Sequence, residues 1–343
     1  MKKLLKTLSD MRGVSGFEYM LNEKISEMMQ KFADEVYIDN SGSVVAIKRS
    51  KNPKGKIMLE AHCDEIGLMV KDIDKDGFLT FVNIGGVDGR ILPALEVVVH
   101  GKKDIPGVIG AKPPHLQTAG EAGKSIKIKD MAIDVGMSYE EVTKYISIGD
   151  SISLSQSAGE LLNNNFSLKT IDDRGGVAVL LKVMERVYEE ELACDVFFVA
   201  AVQEEVGLRG AKTASYRIDP DMAIAIDVCH GITPDNSYNA FETGSGTVIS
   251  VGPNIHPKIG EKLKELAKKN DIKYNMDADG GDTGTDAWAI QVSREGVPTG
   301  LLSIPLKYMH TSVETLSLDD LEATALLIEE FIKDTKGVDW LCF

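Results

Sequence analysis

Apolar runs of strand length alternate with helical patterns at both ends of this chain, while the stretch between them carries strand-like runs alone. Near the start, Leu4, Leu5, Leu8 and Met11 recur at helical spacing. Ser15, with Glu18 three residues on, reads as a capping box opening a second helix that runs to about Phe32. Strands are expected at 44–48 and 57–61. From about 70 to 156 short β-like runs follow one another between glycines, at 78–84, 95–100, 108–109 and 151–154, which suits a small barrel or sandwich. Past Phe166 the alternation resumes with a helix at 175–190, buried strands at 196–202 and 222–228, an amphipathic helix at 258–270 and a strand at 299–304. A closing helix at 318–332 has Leu318, Leu321, Leu327 and Phe331 placed to face a core and Ser317 as its N-cap. The βαβα order implies an α/β fold with a mixed, mostly parallel sheet sandwiched by helices. The expected division is an α/β domain of residues 1–69 and 166–343, interrupted by a β-barrel-like insertion of residues 70–165.

At 343 residues the chain exceeds the usual size of one compact core, in keeping with such an insertion. A formal net charge of -15 argues against nucleic-acid binding, which needs a basic face to displace counterions. Lys2 and Lys3 before Leu4 and Leu5 imitate the start of a signal, but Lys6, Ser9 and Asp10 cut the apolar run short. No stretch reaches the roughly 18 apolar residues of a membrane span. Cys63, Cys194, Cys229 and Cys342 form no C-x-x-C pair and fit reduced thiols, so a cytoplasmic location is expected.

In open α/β sheets, ligands collect beyond the C-terminal ends of the strands. Polar, metal-capable residues stand there repeatedly. The run 57–61 leads into His62-Cys63-Asp64-Glu65, the run 196–202 into Gln203-Glu204-Glu205, the strand from Met222 ends at Asp227, and His310 follows the strand at 299–304. Asp172-Asp173-Arg174-Gly175-Gly176 precedes a helix, with two glycines that let the backbone pass close to an ion or substrate. A lone carboxylate at a strand end is ordinarily a solvated terminus. Together, two histidines and at least three carboxylates form a donor set suited to zinc, cobalt or manganese rather than calcium. Two-metal hydrolases use such a set with one carboxylate bridging. Glu204 and Glu205 are interchangeable at this level. Asp64, two residues beyond His62, can set a carboxylate against the imidazole and fix its tautomer. Asp173 and Arg174 either support the ligands or shape the turn.

These residues resemble the M42 aminopeptidases of clan MH, relatives of the tetrahedral (TET) peptidases and glutamyl aminopeptidases. The resemblance spans essentially the whole chain. It is carried by Ala61-His62-Cys63-Asp64-Glu65-Ile66-Gly67, Asp172-Asp173-Arg174-Gly175, the run from Gln203 to Ala211, Ala225-Ile226-Asp227-Val228 and Lys307-Tyr308-Met309-His310-Thr311. It implies a zinc-peptidase-like catalytic domain and two divalent metal ions per subunit, zinc or cobalt first and manganese next. By the same resemblance, His62 and Glu205 are terminal ligands, Asp227 and His310 complete the two spheres, Asp172 bridges, and Glu204 is the general base. Asp64 is assigned to the catalytic site beside it. The implied activity is release of the N-terminal residue of peptides, by subunits that dimerise and assemble into a dodecamer through the inserted domain.

Asp279-Gly280-Gly281-Asp282-Thr283-Gly284-Thr285-Asp286 resembles the family's G-G-T-D segment near the substrate pocket, with Asp286 the favoured match over Asp282. Asp72 to Gly77 copies the opening of an EF-hand loop, but Asn83 stands where the bidentate Glu belongs, so a hairpin turn is expected. His100, His115, His230 and His256 lack partners at ligand spacing. The rival readings are a carboxypeptidase or deacylase of the same superfamily, an endoglucanase (a label some relatives carry) and a peptide-binding protein with a degenerate site.

Overall fold

The computed structural model describes residues 1–117, 120, 124–155 and 159–337. Eight strands form the main sheet, in the spatial order Glu35–Ile38, Val44–Lys48, Asp195–Ala201, Lys56–His62, Met222–His230, Thr299–Leu306, Thr247–Val251 and Tyr274–Ala278. The four strands from Asp195–Ala201 to Thr299–Leu306 run parallel. They are buried on both faces, so they read in sequence as continuous apolar runs rather than as alternation. The strand from Met222 extends to His230 because its ladder with Thr299–Leu306 continues to the His230–Leu306 pair. Asp227 therefore lies inside that strand and not at its end.

Side-chain alternation along the strands separates two layers. Val44, Ile57, Leu59, Val196, Ile224 and Leu302 pack under the helices Lys2–Ser9, Tyr19–Met29, Ile171–Val187, Pro257–Lys269 and Leu318–Asp334. Val45, Met58, Val199, Ala223 and Leu301 face the thinner layer made by Arg209–Ile218 and Asp286–Ile290. Period-two geometry puts Glu60 and His62 on the face of Met58, and Asp227 and Cys229 on the face of Ala223. The thin layer stops short there, leaving the sheet's C-terminal edge open.

Six further strands, Gly67–Ile73, Leu79–Ile84, Ile133–Asp134, Asp104–Ile109, Glu96–His100 and Ser151–Leu154, close into an antiparallel barrel around Leu68, Phe81, Val99 and Ile152. The Asp72–Gly77 segment is the expected turn between the first two: Asp74 accepts the N–H groups of Asp76 and Phe78, each at 2.9 Å. A small sheet of Gly159–Glu160, Asn165–Leu168 and Glu314–Ser317 pairs Leu168 with Glu314 and thereby places that glutamate behind the open edge. Among the described residues, no helix is long and apolar enough to cross a membrane. Cys63, Cys194 and Cys229 are free thiols, while Cys342 lies outside the described residues.

Candidate metal centre

His62 ends its strand and is buried, with Nε2 3.1 Å from Asp172 Oδ1. His310, in the loop beyond Thr299–Leu306, brings its own Nε2 to 3.2 Å from Asp172 Oδ2 and 3.3 Å from Glu205 Oε1. Each oxygen of Asp172 thus faces a different imidazole. Candidate donor atoms of His62, Asp172 and Glu205 all lie within 4.8 Å of one another. With Glu204, Asp227 and His310, these residues line one cavity of about 490 Å³.

Asp172 and Asp173 open the Ile171–Val187 element in non-helical conformations and are joined by a cis peptide. The Asp172 N–H donates to Glu314 Oε2 at 3.1 Å, and the His310 N–H donates to Glu314 Oε1 at 3.0 Å. One buried carboxylate thereby fastens the two loops that supply the cavity's central aspartate and one of its histidines. Glycine 176 serves packing rather than close passage of an ion: a Cβ there would meet Asp173 Oδ2 at 2.3 Å and Ala61 Cβ at 2.9 Å.

Asp64 lies beneath His62, its Oδ1 3.5 Å from His62 Nδ1. It accepts the backbone N–H groups of Glu204 at 3.0 Å and Glu205 at 3.2 Å, and the Ser15 hydroxyl at 2.7 Å. The Glu204 carbonyl in turn accepts from Gly207 and Leu208, and Gln203 has a φ of 57°. A turn, not extended backbone, carries Glu204 and Glu205, so strand alternation does not separate them and both reach the cavity. Ser15 and Glu18 do not form the capping box read from their spacing. Ser15 goes to Asp64, Glu18 accepts from the N–H groups of Gly16 and Gln203, and the helix begins at Tyr19 without a side-chain cap.

Arg174, wholly buried, donates to the carbonyls of Cys63, Leu8 and Met11 and to Glu65 Oε1 at 3.1 Å. It ties the N-terminal helix to the His62 loop. Arg174→Met is expected to lower stability by roughly 3–5 kcal/mol, because removing one member of a buried ion pair strands the other. Denaturant unfolding of the metal-free protein measures this, and an unchanged midpoint would show that Lys169, which also pairs with Glu65, suffices.

Asp286, favoured from sequence as the substrate contact, does not line the cavity, whereas Thr283, Gly284 and Thr285 do. Its buried carboxyl faces that of Glu60. Burial and this pairing hold Glu60 well above the usual carboxylate range, while burial pushes Asp286 up to about 6. Such a pair is most stable sharing one proton. Asp282 is exposed and accepts the Gly284 N–H. His230, lacking any ligand-spaced partner in sequence, stands in the cavity wall, and His100 pairs with Asp104 in the barrel.

Electrostatically the cavity is short of positive charge. Burial, then neighbouring carboxylates, push Asp173 and Asp227 well above their ordinary range; burial also raises Glu205 and takes Glu204 up to about 10. Contacts with Asp172 and Glu205 raise His310 to about 11. Burial would lower His62, but Asp172 and Asp64 outweigh it and hold the imidazole above its usual value. Asp172 stays low because the two histidines overcome its burial. Among the described residues, no lysine or arginine lines the cavity. Either protons or cations must answer these carboxylates, and the mixed nitrogen and oxygen donors fit divalent transition metals.

A family model described as M42 glutamyl aminopeptidase matches residues 42–327. The lysyl aminopeptidase of Pyrococcus furiosus is 37% identical, the match covering 98% of each chain. The aminopeptidase APDkam598 of Desulfurococcus kamchatkensis superposes with a TM-score of 0.91 at 41% identity, over 97% of this chain and 94% of that one. The Pyrococcus horikoshii TET1 peptidase, described as able to assemble into a tetrahedron or a large octahedral shell, gives 0.87 at 33% identity over 97% and 99%.

Proposed function

The chain belongs to the M42 glutamyl aminopeptidase family and is a peptide hydrolase, and on that premise we propose that it is a two-metal aminopeptidase releasing the N-terminal residue of peptides. The observation that carries this reading is Asp172, whose two oxygens each face one histidine Nε2, the disposition expected of a carboxylate shared between two ions. His62 with Asp227, and Glu205 with His310, would complete the two sets of ligands, for zinc or cobalt first and manganese next. When bound, such ions supply electrophilic activation of the scissile carbonyl and lower the pKa of water.

Glu204 is the residue that moves the proton. Its backbone is held by Asp64 on one side and by the Gly207 and Leu208 N–H groups on the other, which fixes the point from which its side chain lines the cavity. It takes a proton from the attacking water onto a carboxylate oxygen and delivers it to the leaving amine nitrogen. Cations held by the neighbouring ligands would favour its ionised form, the state that accepts the proton. Asp64 orients His62 and the Glu204–Glu205 turn together, and Glu314 keeps Asp172 and His310 in register. The acidic wall receives the free α-amine of the substrate, which restricts cleavage to chain ends. Catalysis is assigned to residues 1–69 and 166–343 and subunit association to 70–165, with a large homo-oligomer of the kind described for the TET1 peptidase.

Hydrolysis of aminoacyl p-nitroanilides, free and N-acetylated, before chelation and after metal add-back, tests the proposal. Cleavage of free-amine substrates only, lost on chelation and restored by zinc, cobalt or manganese, is the expected result. Cleavage of blocked substrates, or indifference to chelation, would remove it.

A further inference from the structure

The barrel meets the metal centre through two glycines. Its first strand, Gly67–Ile73, leaves directly from the loop that follows His62, and its ladder with Leu79–Ile84 includes the Gly67–Ile84 pair. The chain beyond Ile84 is thereby brought back to that loop, as Gly85-Gly86. The turn they make is fixed. Gly85 has a φ of 74°, where glycine is favoured, and its carbonyl accepts the Asn83 side-chain amide at 2.9 Å and the Val87 N–H at 3.0 Å. Asn83, the residue that breaks the EF-hand pattern, serves this turn instead.

Neither glycine leaves room for a side chain. A Cβ at Gly86 would stand 2.8 Å from His310 Nδ1 and 3.1 Å from His310 Cε1. One at Gly85 would stand 2.8 Å from Ile66 Cγ2 and 3.3 Å from both Cβ and Oε2 of Glu205. Nonbonded carbon atoms pack best at about 3.5–4.0 Å, so a Cβ at 86 requires something to yield. The His310 backbone is held in place, its N–H donating to Glu314 Oε1 at 3.0 Å. The ring, at the free end of the side chain, turns instead. Its Nε2 then leaves Asp172 and Glu205, which it faces at 3.2 and 3.3 Å. Of the candidate ligands, the atoms nearest these two glycines belong to Glu205 and His310 and not to His62 or Asp227.

We propose that Gly85 and Gly86 position the ligand pair Glu205 and His310, so that the barrel backs one of the two ions and not the other. This rests on the two-metal reading above. Glycine at 86 is what allows His310 to face Asp172 and Glu205, and the edge of the inserted barrel is then part of the metal centre.

The test is calorimetric titration of the metal-free full chain with zinc, for the wild type, Gly86→Ala, His310→Ala and the double variant. Gly110→Ala is the control, because a Cβ there meets nothing within 4 Å. The wild type and Gly110→Ala are expected to bind two ions. Gly86→Ala should bind one as tightly as the wild type does and the other roughly ten- to a hundredfold more weakly, the loss typical when the support of a metal ligand is removed. With the imidazole already gone in His310→Ala, adding Gly86→Ala should cost nothing further. Wild-type affinity for both ions in Gly86→Ala, equal loss of both, or a further loss in the double variant overturns the inference and leaves the two-metal reading intact. A wild type that binds fewer than two ions removes that reading, and this inference with it.

Discussion

Glu204→Gln is expected to lower kcat by roughly two to four orders of magnitude, the range that a positioned acid–base group contributes, with KM and bound-metal content little changed. The amide has nearly the shape of the carboxylic acid. The backbone contacts that fix residue 204 come from Asp64, Gly207 and Leu208 and do not involve its side chain, so the turn survives the substitution. What the amide lacks is the capacity to take up a proton and return it. A variant that keeps its metal but turns over slowly in both single- and multiple-turnover experiments would place the defect in chemistry. A loss of less than tenfold would show that another group carries the proton.

The parts of this site visible in the sequence are those that follow a buried parallel strand. His62 and Glu204–Glu205 stand out because an uninterrupted apolar run makes the next polar residue conspicuous. Asp227 was legible for the same reason although its strand runs past it, since one charge among buried neighbours breaks the run. The residues that hold the ligands in place had no such signal. Arg174 meets Leu8 across 166 positions and Ser15 meets Asp64 across 49, and nothing in local spacing announces either contact. Glu314 lies only four residues beyond His310, but its second tie, to Asp172, spans 142. The strands Thr247–Val251 and Tyr274–Ala278 were also missed. The second is an edge strand of mostly polar residues, half-exposed, whose place is set by pairing with its neighbour rather than by an apolar face. The Ser15–Glu18 spacing misled because both side chains are drawn away from the helix terminus by unsatisfied groups of the site, where burial makes each hydrogen bond worth more.

Asp172→Asn should abolish activity to the level of the chelated enzyme and leave the protein unable to retain a full complement of metal. Of the candidate ligands, Asp172 alone contacts both histidines, and an asparagine offers one neutral oxygen where the aspartate offers two charged ones. Metal content after dialysis, measured beside kcat/KM, separates loss of the ions from loss of chemistry. Full metal retention with normal activity would rule out Asp172 as the shared carboxylate. The metal-free protein gives an independent reading through pH. In it, His62 and His310 have raised pKa values, so their contribution to stability is complete below the unfolded value of about 6.5 and falls as pH climbs through the folded one, about 11 for His310. Asp172 is depressed, so its contribution is complete above about 3.8 and is lost as pH falls. The destabilisation caused by Asp172→Asn in the metal-free protein should therefore be largest between roughly pH 4 and 6.5 and should shrink on either side. A difference in unfolding free energy that stays flat from pH 4 to 9 would mean that the His62–Asp172–His310 contacts do not act as a charged cluster, and would withdraw the electrostatic argument for a cation between them.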